Sequence, residues 1–146
     1  MKAAYIDSSF LLSIIFEDDS YDLSIDIWNS LDILLGSIIT EIECRINVYK
    51  YCILTIKDKE LYRHKNDMLG KLLNSINKKM VDNEIMLEIK NNNKLKQLKS
   101  LDSIHLATAK IYKKLIPENL LICSYDLNMI KVARELGMET IKRIAS

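Results

Sequence analysis

Three short apolar runs constrain this chain more than any other feature: AAYI at Ala3–Ile6, ILLGS at Ile33–Ser37 and LLIC at Leu120–Cys123. None alternates apolar with polar residues, so each must hide both faces, and each leads into a segment with helical spacing. A strand buried on two sides and followed by a helix belongs in a parallel sheet covered on both faces. The expected fold class is therefore α/β, a three-layer sandwich with a mainly parallel central sheet flanked by helices. At 146 residues, one domain spanning 1–146 accounts for the chain.

Between the strands, helices are expected over Ser9–Phe16, Tyr21–Asn29 and from Ser37 or Thr40 to about Leu54. Ser8 or Ser9 is a candidate cap for the first of these, and Asp7 is another. The Lys- and Asn-rich middle reads as one or two helices over Lys59–Met80, with Gly70 a point of interruption, then a strand over Glu84–Ile89. Asn91–Ser100 reads as an exposed turn and a short helix. A helix carrying Asp102 in its first turn follows, then the LLIC strand, a helix over Leu127–Leu136 stopped by Gly137, and a last strand over Glu139–Ile141. No internal repeat or second domain is visible.

Charge excludes little globally: 21 Lys and Arg against 20 Asp and Glu leave +1. Locally, Ile56–Lys99 holds eleven basic and six acidic residues, an excess of +5, which leaves −4 for the remainder. The Lys57–Lys79 set could steer a polyanion such as RNA, or be an ordinary solvated face. The odd count of Cys44, Cys52 and Cys123, without CxxC spacing, fits a reducing compartment and small buried residues rather than disulfides or zinc ligands. Glu17, Asp18 and Asp19 interrupt the first apolar run, and no run reaches membrane-spanning length. A cytoplasmic location without membrane contact is the expectation.

Four acids fall at matching junctions. Asp7 follows the first strand, Glu43 lies in the helix after the second, Asp102 opens a later helix, and Asp126 follows LLIC. In parallel α/β folds these are the carboxyl ends of strands, where sites form. Carboxylates gathered there repel unless a cation compensates them, and oxygen-only ligands suit Mg²⁺ or Mn²⁺. Each acid also has a plain reading. Asp7, Asp102 and Asp126 could cap or line helix N-termini, and Glu43 could pair with Arg45 or face solvent. Spacing alone does not bring the four together. A phosphatase-type site is disfavoured, because Asp7-Ser-Ser lacks an acid two residues on. With only Gly36, Gly70 and Gly137, no glycine-rich phosphate cradle exists.

Ordered motifs sharpen the reading. AAYIDSSFLL, SIITEIECR at Ser37–Arg45, LKSLDSIHLATA at Leu98–Ala109 and ICSYDLNMIKVARELGM at Ile122–Met138 together resemble PIN-domain proteins. The likeness is to the VapC-type toxin branch of bacterial toxin–antitoxin pairs, and the third segment is the most specific. The resemblance implies an endoribonuclease that uses Mg²⁺ or Mn²⁺, with Asp7, Glu43, Asp102 and Asp126 as its metal-facing and catalytic acids. Ser124 matches the hydroxyl supporting the fourth acid, and Ser8 or Ser9 would do similar work beside Asp7. Glu41 competes with Glu43 but would face about 200° away around a helix. His105 resembles a structural histidine, expected to pack or to bond the backbone.

The same likeness implies structured RNA as substrate, cut to leave a 5′-phosphate and a 3′-hydroxyl. It also implies a cognate antitoxin whose Arg or Lys competes with metal for Asp7 and Asp102, and a homodimer. Phe10, Leu11, Ile14 and Ile15 are read as either an interface or core. Tyr5 and Tyr125 could stack a base, though strand packing suits Tyr5 better. Two departures stand out, Ser103 for the usual Ala and Ser124 for the commoner Thr, and the Lys/Asn-rich middle fits the family poorly. An inactive PIN-like module binding RNA or protein is the alternative.

Overall fold

The computed structural model describes residues 1–141. Strands β1 (Ala3–Ile6), β2 (Ile33–Ser37), β3 (Asn77–Lys79), β4 (Leu120–Cys123) and β5 (Glu139–Thr140) form one sheet. Its order is β3-β2-β1-β4-β5, and every pairing is parallel. The chain winds outward from β1 through β2 to β3, then returns to place β4 on the other side of β1. A topological switch point therefore lies between β1 and β4, where the crevice of an open parallel sheet forms.

Alternate residues of the continuous apolar strands feed two separate cores. Ala3 and Tyr5 of β1, with Leu120 and Ile122 of β4, pack on one face against α5 (Asn83–Lys90), α6 (Ser100–Leu115) and α7 (Leu127–Glu135). Ala4, Ile6 and Cys123 pack on the other face against α1 (Ser8–Ile15), α3 (Ile38–Tyr49) and α4 (Lys59–Asn74). Helix α2 (Tyr21–Ser30) lies against α1, and the result is the α/β sandwich expected. Gly36 packs closely in β2: a Cβ there would come 3.0 Å from Ile76 Cγ2, so Ile76 would have to shift by a few tenths of an ångström. Phe10, Leu11, Ile14 and Ile15 are all buried in the second core. They are core, and a partner could not reach them.

The helix starts follow from local chemistry. Asp7 itself caps α1, accepting from Ser9 N, so neither Ser8 nor Ser9 is the cap. Ser37 caps α3 in a reciprocal capping box with Thr40. Helix α3 runs into one wider turn of π-type helix over Lys50–Thr55, close to the expected end.

The middle differs from expectation. Helix α4 runs through Gly70 without interruption and ends at Asn74, short of Met80. Glu84–Ile89 is not a strand but part of α5. Asp82 caps it by accepting from Ile85 N, and Ile85 and Ile89 turn the same face to the core at i, i+4 spacing. The strand in this region is instead β3, whose NKK sequence carries no apolar signal because an edge strand can be held by backbone pairing alone.

Candidate metal centre

Asp7 stands immediately beyond β1, and Ser124 immediately beyond the adjacent β4, so the switch point sets them side by side. Asp7 is only 3% exposed. Its Oδ2 accepts from Ser9 Oγ at 2.6 Å, Ser124 Oγ at 2.9 Å and, more weakly, Ser9 N at 3.4 Å. Ser9 Oγ in turn accepts from Tyr125 N at 2.9 Å, and Ser124 Oγ accepts from Asp126 N at 3.1 Å. The hydroxyls thus fix one oxygen of the carboxylate and leave Oδ1 to face the crevice.

Glu43 enters from α3, one and a half turns past the cap. Its Oε1 accepts from Ser8 Oγ at 3.3 Å and from His105 Nε2 at 2.5 Å. The same His105 nitrogen lies 3.4 Å from Asp7 Oδ1. An ionised carboxylate can only accept, so Nε2 carries a proton in this arrangement, while Nδ1 meets the buried Tyr5 hydroxyl at 2.6 Å. Burial disfavours the imidazolium, but the Glu43 hydrogen bond and the charges of Asp7, Glu43 and Asp102 outweigh it and raise the His105 pKa. Tyr5 is held well above the usual phenol range, by burial first and by the Asp7 charge second, and stays protonated.

Asp102 sits in the first turn of α6, one turn before His105 on the same face. Its carboxyl pKa is raised, by partial burial first, then by the charges of Asp126 and Asp7, with Glu43 adding to them. Asp126 caps α7 through Oδ1, which accepts from Met129 N at 2.9 Å. The acids therefore share one electrostatic neighbourhood at the carboxyl edge of β1 and β4. Among the described residues, neither Lys nor Arg forms an ion pair with any of the four; His105 is the one basic partner, to Asp7 and Glu43.

Asp7, Glu43 and His105 each offer a ligand atom, all within 4.8 Å of one another, a group able to hold a metal ion. The donor chemistry fits a divalent cation: carboxylate oxygens in excess, partly buried and without a compensating Lys or Arg. His105 can join such a site through Nε2 only after losing the proton it shares with Glu43. The buried thiols of Cys44 and Cys123 have raised pKa values, burial being the main cause, and are not ligands.

A sequence profile of the PIN domain matches residues 4–135. The chain belongs to the PIN domain family. No curated protein and no solved structure matches it.

Within this PIN domain, Glu41 is turned away from the crevice and pairs with Arg45 at 2.7 Å and Lys78 at 3.6 Å. Arg45 is thereby engaged by Glu41 rather than by Glu43. His105 is packed in the interior as expected, edge-on to Tyr5, but its ring bonds the Glu43 and Tyr5 side chains rather than a backbone group. Its position one turn beyond Asp102 was the available signal, obscured by the apolar helix around it. Tyr125 is also structural: its hydroxyl meets Ser24 Oγ at 2.6 Å, Ser24 meets Ser13 Oγ at 2.6 Å, and its ring stacks on Phe10. Ser103 is buried without a hydrogen-bond partner for its hydroxyl, so it adds nothing to the centre.

Proposed function

We propose that this PIN domain is a divalent-metal-dependent endoribonuclease that hydrolyses RNA phosphodiester bonds, and that it is the toxin of a toxin–antitoxin pair. The observation that carries the enzymatic part is the Asp7–Glu43–His105 group at the switch point, acidic and without Lys or Arg counter-charge among the described residues. Asp7, Glu43 and Asp102 would hold the ion, with Asp126 binding directly or through water. A Mg²⁺ or Mn²⁺ ion bound there would activate water and stabilise charge on the attacked phosphate and the leaving oxygen.

The chain's own residues supply orientation. Ser9 and Ser124 hold Asp7 Oδ2 so that Oδ1 is presented in one direction. His105 orients Glu43 and is itself held by Tyr5, as an outer layer of hydrogen bonds holds the ligands of metal sites. RNA as the substrate rests on the toxin resemblance, as do the antitoxin and the homodimer; the cytoplasmic setting rests on the cysteine pattern and the apolar runs of the sequence. No helix among the described residues is long and apolar enough to cross a membrane.

The decisive experiment incubates purified protein, freed of any bound partner, with RNA in Mg²⁺, Mn²⁺ or EDTA. Metal-dependent cutting that leaves 5′-phosphate ends is expected. Equal cutting in EDTA removes the metal from the reaction. RNA binding with no cutting in either metal establishes the inactive-module alternative. Co-purification with the product of an adjacent short reading frame tests the toxin assignment separately.

A further inference from the structure

Four of the basic residues expected to steer RNA are engaged elsewhere. Arg63 pairs with Glu60, Lys65 with Glu17, Lys78 with Glu41, and Lys79 with Asp82 and Glu84. Lys99 and Lys131 are different. They come from the start of α6 and from the middle of α7, both are exposed, and neither has an ion-pair or hydrogen-bond partner among the described residues. Both line one cleft of about 310 Å³ with Asn128 and Gln97, and Asp102 of the acidic centre lines the same cleft. Glu135, the other acid on its wall, faces Lys94 at 3.5 Å.

We propose that Lys99 and Lys131 form a subsite for the backbone phosphate adjacent to the one that is cut. This rests on the endoribonuclease reading above. A polyanion approaching four carboxylates is repelled, and two unpaired ammonium groups beside Asp102 offset that repulsion where the strand must lie. The cleft suits a phosphate rather than a base, because its lining offers two cations and two amides and no aromatic ring for stacking. The subsite binds and orients; it does not take part in bond breaking. Lys59 and Lys71 carry the same formal charge but do not line this cleft.

The test compares wild type, K99Q/K131Q, K99R/K131R and K59Q/K71Q by fluorescence anisotropy with a labelled single-stranded RNA oligonucleotide in EDTA, where no cutting interferes. The Gln pair is expected to weaken binding by roughly tenfold or more at low salt and to lower the salt dependence by about one to two phosphate contacts. The Arg pair should bind within about twofold of wild type because it keeps both charges, and so should K59Q/K71Q, which removes the same number of charges as the Gln pair but away from this cleft. In Mg²⁺ the Gln pair should raise KM and leave kcat nearly unchanged. Wild-type affinity in K99Q/K131Q, an equal loss in K59Q/K71Q, or no RNA binding by wild type overturns the subsite. Absence of metal-dependent cutting by wild type counts instead against the endoribonuclease reading, and the binding measurement still decides the role of the two lysines.

Discussion

Two regions of this molecule treat negative charge in opposite ways. On the flank built from α3, β3, α5 and α6, carboxylates meet ammonium or guanidinium groups: Glu41 with Arg45 and Lys78, Asp82 and Glu84 with Lys79, Glu88 with Lys110 and Lys114. At the β1–β4 switch point four acids gather, and among the described residues one imidazole is the basic group paired with any of them. The first arrangement is self-contained. The second carries an excess of negative charge, which the fold tolerates because seryl hydroxyls and helix N-termini partly stabilise it. Acids left uncompensated in a crevice point to a counter-charge from outside the chain.

The strongest way to break this contrast is to remove one carboxylate charge from each region. D7N should lower kcat on the order of 10³-fold with the fold retained, a loss on the scale of removing a principal electrostatic contact; full activity in D7N would place the reaction elsewhere. E43Q should follow with a loss on the order of 10²-fold, whereas E41Q, two residues away on the same helix, should cut RNA within about twofold of wild type. Rates under single-turnover conditions, with circular dichroism to verify folding, separate these outcomes. Equal losses in E41Q and E43Q would erase the distinction between the two faces of α3.

Stability should show the contrast with its sign reversed. The Asp102 carboxyl has a raised pKa in the folded chain, so the fold binds more protons than the unfolded chain as pH rises above about 3.9. Its contribution to stability therefore falls as pH climbs through the folded value, and at neutral pH the charged group weakens the metal-free protein. His105 adds the same slope in a higher window. Its raised pKa makes the Glu43 contact fully stabilising below about 6.5, and that support is lost as pH rises through the folded value. D102N should accordingly melt a few degrees above wild type at pH 7 in EDTA while losing activity, and Mn²⁺ should narrow the gap by stabilising wild type more. A D102N protein that melts below wild type in EDTA would mean that the acids do not repel.

How much of this was legible in the chain depends on what each element buries. Strands β1, β2 and β4 hide two faces, and their unbroken apolar runs announce it. Strand β3 contributes Asn77, Lys78 and Lys79 at an edge and has no side-chain signature. Helix α5 is hard to tell from a strand because EIMLEI is too short for its apolar spacing to distinguish the two, and the Asp82 cap that selects a helix is outside that run. The separate acids were visible at strand ends, but their proximity was not. Asp7 and Glu43 are brought together by the pairing of β1 with β2 and by the entry of α3, neither of which spacing along the chain specifies. For His105 the packing role was legible, and its polar partners Glu43 and Tyr5 were not. Its link to Tyr5 spans 100 residues, and nothing near it in the chain specifies a polar partner.

The smallest effect belongs to the self-contained flank. Glu88 of α5 receives Lys110 and Lys114 of α6, each at 2.9 Å. Burial raises its pKa, but hydrogen bonds from Lys114 and Lys110 exceed that effect and hold the carboxyl below its ordinary value. The sign is then opposite to that of Asp102: the contribution is present above the unfolded value of about 4.3 and disappears as pH falls through the folded value. Because the lysines reach solvent, E88Q should cost less than about 1 kcal/mol at pH 7 and leave RNA cutting unchanged. Thermal melts of E88Q and wild type should converge as the pH is lowered toward 3. If the difference instead grew on acidification, Glu88 would not be an ion-paired carboxylate, and the division between a flank that balances its own charge and a crevice that does not would lose its best-paired member.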